Sequence, residues 1–406
     1  MSDTPFDALH ASLRAEVDNE FLPNVSMALL RGREVVDRFC YGAADREAGI
    51  PLREDHLFRM FSSTKLITAC AVLLLVEQGK LGLDDPVDRF LPDLADRQVL
   101  RPGAKDLADV EPARTPITTR HLLTHTSGLS YGVFDPGSPM YEAYNRAAVL
   151  RRDRDLAGMM TALAPLPLCF HPGTQWEYSV SMDVLGRLVE VISGERFGAF
   201  LARHIFEPLG MVDTDFWVPP SKRDRLTVLY EGADERDPDK PGLPRVDDKP
   251  YPGAYLNPAK LESGGGGLIS TLDDSIRFLR SLIPGPGGPT LLRPETIAQM
   301  FSNQLAPGLH VRFDLAPPNR GWKFGLGSAV RDAAARGEPP EIPGEASWGG
   351  LAGTLWWIHP QRGIAAVLLT QRFFGHAHPY AARFKRNAYR ALLHGGVTDG
   401  AMVGQR

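Results

Sequence analysis

Cysteine is scarce in this chain of 406 residues: Cys40, Cys70 and Cys169 are the only three, and they are widely spaced. So odd and scattered a set suits neither a disulfide framework nor a zinc site, and a reduced, cytoplasmic protein is the plain reading. Long apolar runs are missing as well. The longest strongly apolar stretch, Ala71 to Val76, is far too short to cross a bilayer. The opening MSDTPFDALH has neither the basic nor the apolar region of a secretory leader, so Asn24-Val25-Ser26 is a chance match to a glycosylation acceptor. Charge of one sign is not in excess. The net value of −4 gives no reason to expect nucleic acid or an anionic membrane as partner. Low-complexity tracts and internal repeats are absent too. What remains, 43% apolar and 23% charged, is the composition of an ordinary globular protein, and its length calls for two lobes rather than one simple core.

Apolar periodicity predicts a helix over 5–19, through Phe6, Leu9, Leu13 and Val17, then strands at Val25–Leu30 and Val35–Tyr41 joined across Arg31-Gly32-Arg33-Glu34. A helix beginning near Ser62 is apolar all round from Leu66 to Val76, as a helix buried inside a domain is, and Gly79 is placed to end it. Helices follow at 118–125, 154–164, 181–193, 196–206 and 272–282, with a charged, proline-rich connection at 219–260. Strands return at Trp322–Ser328, Ser347–Trp357 and Gly363–Thr370, the last two flanking a hairpin connection, His359-Pro360-Gln361-Arg362, before a closing helix at 379–394. Strands at both ends with helices between predict an α+β fold. In it, 1–60 and 261–406 form an antiparallel sheet lobe flanked by the first and last helices, and 61–260 form an inserted, mainly helical lobe.

Ser62-Ser63-Thr64-Lys65 carries the chemistry. Residues three apart at a helix start face the same side. A nucleophilic hydroxyl needs that arrangement: an amine within reach, and a helix N-terminus favouring developing negative charge. Lys65 sits one turn into an apolar helix, where an ammonium is costly unless paired and where desolvation favours its neutral form. A snorkelling lysine at a helix edge would share the spacing but not the apolar residues on both sides. Tyr178, just before the 181–193 helix, is a second proton-transfer candidate, although a buried phenol is more often a packed residue with one hydrogen bond. In Ser347-Trp348-Gly349-Gly350-Leu351 the glycine pair marks a bulge or a close approach of backbone or ligand.

Two motifs compete. Gly128-Leu129-Ser130-Tyr131-Gly132 matches the G-x-S-x-G nucleophile elbow, but that motif needs a buried strand before it and a helix after it, and the preceding residues read as helix. His121 and His125 have zincin spacing, yet Leu122-Leu123-Thr124 between them lacks the catalytic glutamate; two helix histidines bonded to neighbouring loops is the better reading. No metal and no cofactor are implied.

Taken in order, these segments resemble the serine β-lactamase/penicillin-binding-protein superfamily, and more closely its esterase branch, the family VIII carboxylesterases. The resemblance runs through Ala44-Asp45-Arg46-Glu47, Leu57-Phe58-Arg59, Ser62–Lys65, Thr119 to Leu129, Pro172-Gly173, Tyr178-Ser179, Pro208-Leu209-Gly210-Met211 and Trp348-Gly349-Gly350. It implies a β-lactamase-like fold with Ser62 as nucleophile, Lys65 as its partner and Tyr178 as general base and acid. The backbone N–H groups of Ser62 and Leu351 would form an oxyanion hole, a helix N-terminus facing an edge strand. Tyr131, Val180, Trp348, Gly349 and Gly350 would border the substrate. Two departures from the β-lactamase pattern bear on substrate: Val180 stands where Y-x-N has its amide, and Trp348 where a Lys or His precedes Thr/Ser-Gly. A site lacking both favours neutral esters over anionic amides, so the expected partner is a small-molecule ester. Acyl transfer with the same triad, or weak β-lactam or D-peptide cleavage, is the alternative.

Overall fold

The computed structural model describes the chain except residues 1–3, 134–136, 235, 247–248, 250–252, 287, 289, 314–320, 376–377 and 396–406; parts of the 131–150 and 219–260 stretches therefore lie outside the described residues. Helix α1 (Asp7–Asp18) precedes a hairpin of β1 (Asn24–Arg31) and β2 (Glu34–Asp45), with β3 (Ile50–Pro51) folding back along β2. Strand β4 (Phe58–Arg59) leads through one 3-10 turn, Phe61–Ser63, into α2 (Thr64–Glu77). The middle of the chain holds a small hairpin, β5 (Gln98–Leu100) and β6 (Val110–Pro112), and helices α3 (Thr119–Leu123), α4 (Pro139–Ala147), α5 (Leu156–Leu163), α6 (Ser181–Ser193), α7 (Phe197–Leu201) and α8 (Glu207–Leu209). Then come β7 (Tyr230–Glu231), β8 (Ile269–Ser270), α9 (Leu272–Ser281) and α10 (Pro294–Met300). The C-terminal part gives β9 (Trp322–Phe324), β10 (Ala329–Arg331), β11 (Ala346–Gly349), β12 (Leu355–His359), β13 (Ile364–Leu369), β14 (Arg372–Phe373) and α11 (Tyr380–His394).

Eight strands form one antiparallel sheet in the order β3-β2-β1-β13-β12-β11-β10-β9, so strands from the two ends of the chain meet at β1 and β13. Side chains alternate between its faces. Val25, Met27, Leu29, Trp357, Ala366 and Leu368 pack with Leu9 and Leu13 of α1 and Phe384, Ala388 and Tyr389 of α11. Ala28, Leu30, Trp356, Ile358, Ala365 and Val367 point the other way, into a core shared with α2, α6 and α9. Both faces are covered, which explains why the central strands read as continuous apolar runs. Helix α2 is enclosed on every side, with Leu66 to Leu73 and Leu75 buried, as its uniform apolarity predicts.

Three local readings differ. Ser347–Trp357 is two strands, β11 and β12, paired antiparallel across a turn at 350–354, because Gly349-Gly350 and Gly353 (φ +89°) let the chain reverse. Strand β11 is not the sheet's edge, since β10 pairs with its Ala346 and Ser347. Helices α4 and α10, each opened by a proline at the first turn, and the short strands β3 to β8, β10 and β14 are additional elements.

Candidate active site

The 3-10 turn that presents Ser62 is fixed from both sides. On one side the Met60 N–H bonds Leu268 O, just before β8, and the Arg59 N–H bonds the Gln371 side chain; on the other, Thr64 Oγ1 accepts the Leu268 N–H at 3.2 Å. Between them Phe61 adopts φ +44°, a conformation an L-residue holds only when its surroundings impose it. The turn's own bonds run from Ser63 N–H to Met60 O and from Thr64 N–H to Phe61 O, which leaves the Ser62 N–H outside them at the head of α2.

Lys65, one turn on, is 1% exposed. Its Nζ lies 3.1 Å from Ser62 Oγ and donates to Gly265 O at 2.5 Å. Tyr178 reaches the same oxygen from the start of α6, with Oη 2.6 Å from Ser62 Oγ. The Lys65 ammonium sits 4.5 Å from the Tyr178 ring centroid and 5.4 Å from that of Tyr131. The Trp348 indole N–H donates to Tyr178 Oη at 3.3 Å. Ser62, Lys65, Tyr178, Tyr131 and Trp348, predicted from separate parts of the sequence, therefore meet at one point.

The tyrosine is held by backbone and rings. The Glu177 N–H bonds His125 O at 2.9 Å and the Val180 N–H bonds Ser130 O at 3.3 Å, pinning the two residues either side of Tyr178–Ser179. His125, Tyr131, Phe313 and Trp348 surround its ring at centroid distances of 5.0, 5.2, 5.7 and 5.4 Å. Burial and the Lys65 charge hold the His125 imidazole well below its usual range, so the ring faces the site neutral. Burial and the nearby Asp183 hold the Tyr131 hydroxyl well above the usual phenol range.

The turn after β11 is pressed against the Ser62 turn. A Cβ on Gly350 would stand 2.2 Å from Met60 O and 2.4 Å from Thr354 Oγ1, so only glycine permits this approach. Thr354 Oγ1 bonds both Ser63 Oγ, at 2.9 Å, and Met60 O, at 3.1 Å. Leu351, in this turn, packs with Phe61 and Phe373. β10 ends at its pairing with Ala346 and Ser347, so Trp348 and Gly349 project past it; the edge expected beside the nucleophile is this local overhang of an interior strand. Val180 departs from its expected place. It is wholly buried in the helical core at the head of α6, so it backs the site instead of meeting a substrate.

The competing motifs have other roles. Ser130 is buried, its Oγ accepts the Gly132 N–H at 3.1 Å, and neither a strand before it nor a helix directly after it makes an elbow. Helix α3 ends at Leu123, so His125 is off the helix at φ +56° and shares no face with His121. Among the described residues no His, Cys, Asp or Glu cluster suits a metal ion, and no helix is long and apolar enough to cross a membrane.

Sequence reasoning missed the glycine-rich segment's role. Gly265 supplies the carbonyl for Lys65, Thr68 Oγ1 donates to Gly264 O at 2.8 Å, and buried Asp183 of α6 accepts from Ser263 Oγ and from the Gly265 N–H. The signal was present in four consecutive glycines, Gly264 to Gly267, where the backbone must pass close to other groups. Phe313 was missed as well, and no pattern around it could have found it.

These features bring a serine, a lysine and a tyrosine together at the junction of a helical layer and an antiparallel sheet. The chain belongs to the β-lactamase family, whose model matches residues 10–390. It is 35% identical over 388 residues to esterase EstB of Burkholderia gladioli, covering 91% of this chain and 93% of that one. To acyltransferase calJ of Penicillium decumbens it is 31% identical over 359 residues, covering 84% and 82%. Among solved structures it resembles EstCE1, a hydrolase with promiscuous acyltransferase activity, with a TM-score of 0.80, 27% identity, and coverage of 95% of this chain and 98% of that chain. The expected β-lactamase-like fold is the fold observed.

Proposed function

We propose that this protein is a serine carboxylesterase acting on short-to-medium acyl esters through an acyl-enzyme on Ser62. One observation carries the reading: a single hydroxyl, Ser62 Oγ, lies within hydrogen-bond distance of both Lys65 Nζ (3.1 Å) and Tyr178 Oη (2.6 Å) at the head of a helix. With the Lys65–Tyr178 pair one proton short of its full complement, Tyr178 Oη takes the Ser62 proton as Oγ attacks the ester carbonyl. The oxyanion is met by the N–H groups of Ser62 and Leu351. The tetrahedral intermediate expels the alcohol, which takes that proton from the pair. Water then repeats the sequence: it loses a proton to the pair as it attacks the acyl carbon, and Ser62 Oγ leaves with that proton, freeing the acid.

Substrate class follows from Trp348. Trp348 presents an indole beside Tyr178 where a cation would bind a substrate carboxylate, a contact worth about 1.5–3 kcal/mol. Val180, buried behind the site, leaves no amide there to steady Lys65. Neutral esters therefore suit the site better than anionic β-lactams, with Tyr131, Gly349 and Gly350 as further border residues. A second reading, transfer of the acyl group to an alcohol in place of water, draws support from the acyltransferase relative and from EstCE1. Three free cysteines, none paired with another, suit a reducing cytoplasm.

The test is turnover of p-nitrophenyl acetate and butyrate, beside nitrocefin and with and without an alcohol acceptor. Wild type and Ser130→Ala are expected to turn over the esters far faster than nitrocefin, while Ser62→Ala and Tyr178→Phe lose at least about a hundredfold. Activity that survives Ser62→Ala and vanishes in Ser130→Ala overturns the assignment; nitrocefin turnover matching the esters overturns the substrate class.

A further inference from the structure

Lys65 is a buried ammonium that forms no direct ion pair among the described residues, since its Nζ contacts are Ser62 Oγ, Gly265 O and two aromatic faces. A buried charge of this kind needs compensation nearby. Asp183 has the complementary deficiency. It is wholly buried, Oδ1 accepts from Ser263 Oγ and from the Gly265 N–H at 3.2 Å, and Oδ2 has no hydrogen-bond partner among the described residues. Gly265 stands between them, its N–H on the carboxyl group and its carbonyl on the ammonium. A Cβ on Gly265 would stand 2.6 Å from Asp183 Oδ2 and 2.8 Å from Tyr131 Oη, so the glycine is what allows this close stacking.

We propose that Asp183 is the counter-charge of Lys65, relayed through the Gly265 backbone, and that it sets the pH range in which the Lys65–Tyr178 pair exchanges protons. Asp183 is a positioning residue: its hydrogen bonds go to Ser263 and Gly265, and it acts through the loop and the field it creates. Among the described residues, the other groups facing this pair are Tyr131 and Tyr178, the neutral His125, and Arg152, whose charge acts on Tyr131. None of them supplies a carboxylate. The inference rests on the Ser62, Lys65 and Tyr178 reading for its catalytic consequence, and on geometry alone for the charge coupling.

Asp183→Asn keeps an Oδ1 acceptor for Ser263 and Gly265 and removes the charge. Without that charge the Lys65–Tyr178 pair gives up its proton more readily, so the kcat/KM–pH profile for p-nitrophenyl acetate is expected to shift to lower pH by roughly one unit. Ser263→Ala, which removes a hydrogen bond but no charge, is expected to leave the profile in place. An Asp183→Asn profile superimposable on wild type, or an equal shift in Ser263→Ala, overturns the proposal. Thermal melts of Lys65→Met, Asp183→Asn and the double variant read the coupling without turnover. The double variant is expected to melt above the sum of the two single losses, because it leaves no charge unpaired. Strict additivity, or a double variant that fails to fold when Lys65→Met folds, contradicts it whatever role Ser62 has.

Discussion

At the scale of single residues, spacing and an apolar setting hold Ser62 and Lys65 together. Three residues on one helix face put Lys65 beside Ser62, and the surrounding leucines leave the amine no exit to water. Tyr178 was legible only as a candidate, since nothing local joins residue 178 to residue 62; the resemblance carried that step. Asp183 and Gly265 were not legible, because a carboxyl group becomes informative only when its three-dimensional neighbours are known. Trp348 was read as the absence of a cation, and the structure adds a positive role, the N–H donated to Tyr178 Oη. Trp348→Phe keeps an aromatic ring against Phe313 and Phe324 but loses that donor. For one neutral hydrogen bond, kcat/KM on an ester is expected to fall about three- to tenfold with the melting temperature little changed. Unchanged kinetics would remove Trp348 from the proton path.

At the scale of elements, helices with a clear apolar stripe and the two central hairpins were read within a few residues of their ends. Failures cluster where glycine or proline decides the outcome. The run Ser347–Trp357, with tryptophans near both ends, reads as one strand, and only the reversal at 350–354 separates β11 from β12. That reversal matters to the site more than either strand, since it lays Leu351 beside the Ser62 turn. Helices α4 and α10 begin at Pro139 and Pro294, a residue type that breaks a helix interior but suits its first turn. The strain at Phe61 has no sequence signature at all; it arises because β4 and the head of α2 are both anchored by distant partners.

At the scale of the whole molecule, the two chain ends close on each other, and one buried histidine joins them to the loop before β8. His378 lies between Glu16 of α1, Arg383 of α11 and Asp239. Burial, with Arg372 and Arg383 beside it, pushes its pKa down from 6.5 to about 4. The unfolded chain takes up this proton at about pH 6.5 and the folded chain only near its lower value, so the unfolded state binds more protons in between. His378 therefore contributes stability that is complete above about pH 6.5 and lost as pH falls towards 4. Urea melts of wild type and His378→Gln across that range are expected to show the wild type losing more stability on acidification; parallel curves would contradict the burial argument.

The central claim, that Ser62 carries the acyl group, is tested most directly by mapping a fluorophosphonate adduct by peptide mass spectrometry. The account predicts one adduct per chain on the peptide containing Ser62, abolished by Ser62→Ala and retained in Ser130→Ala. An adduct on Ser130, or labelling that persists in Ser62→Ala, would contradict it.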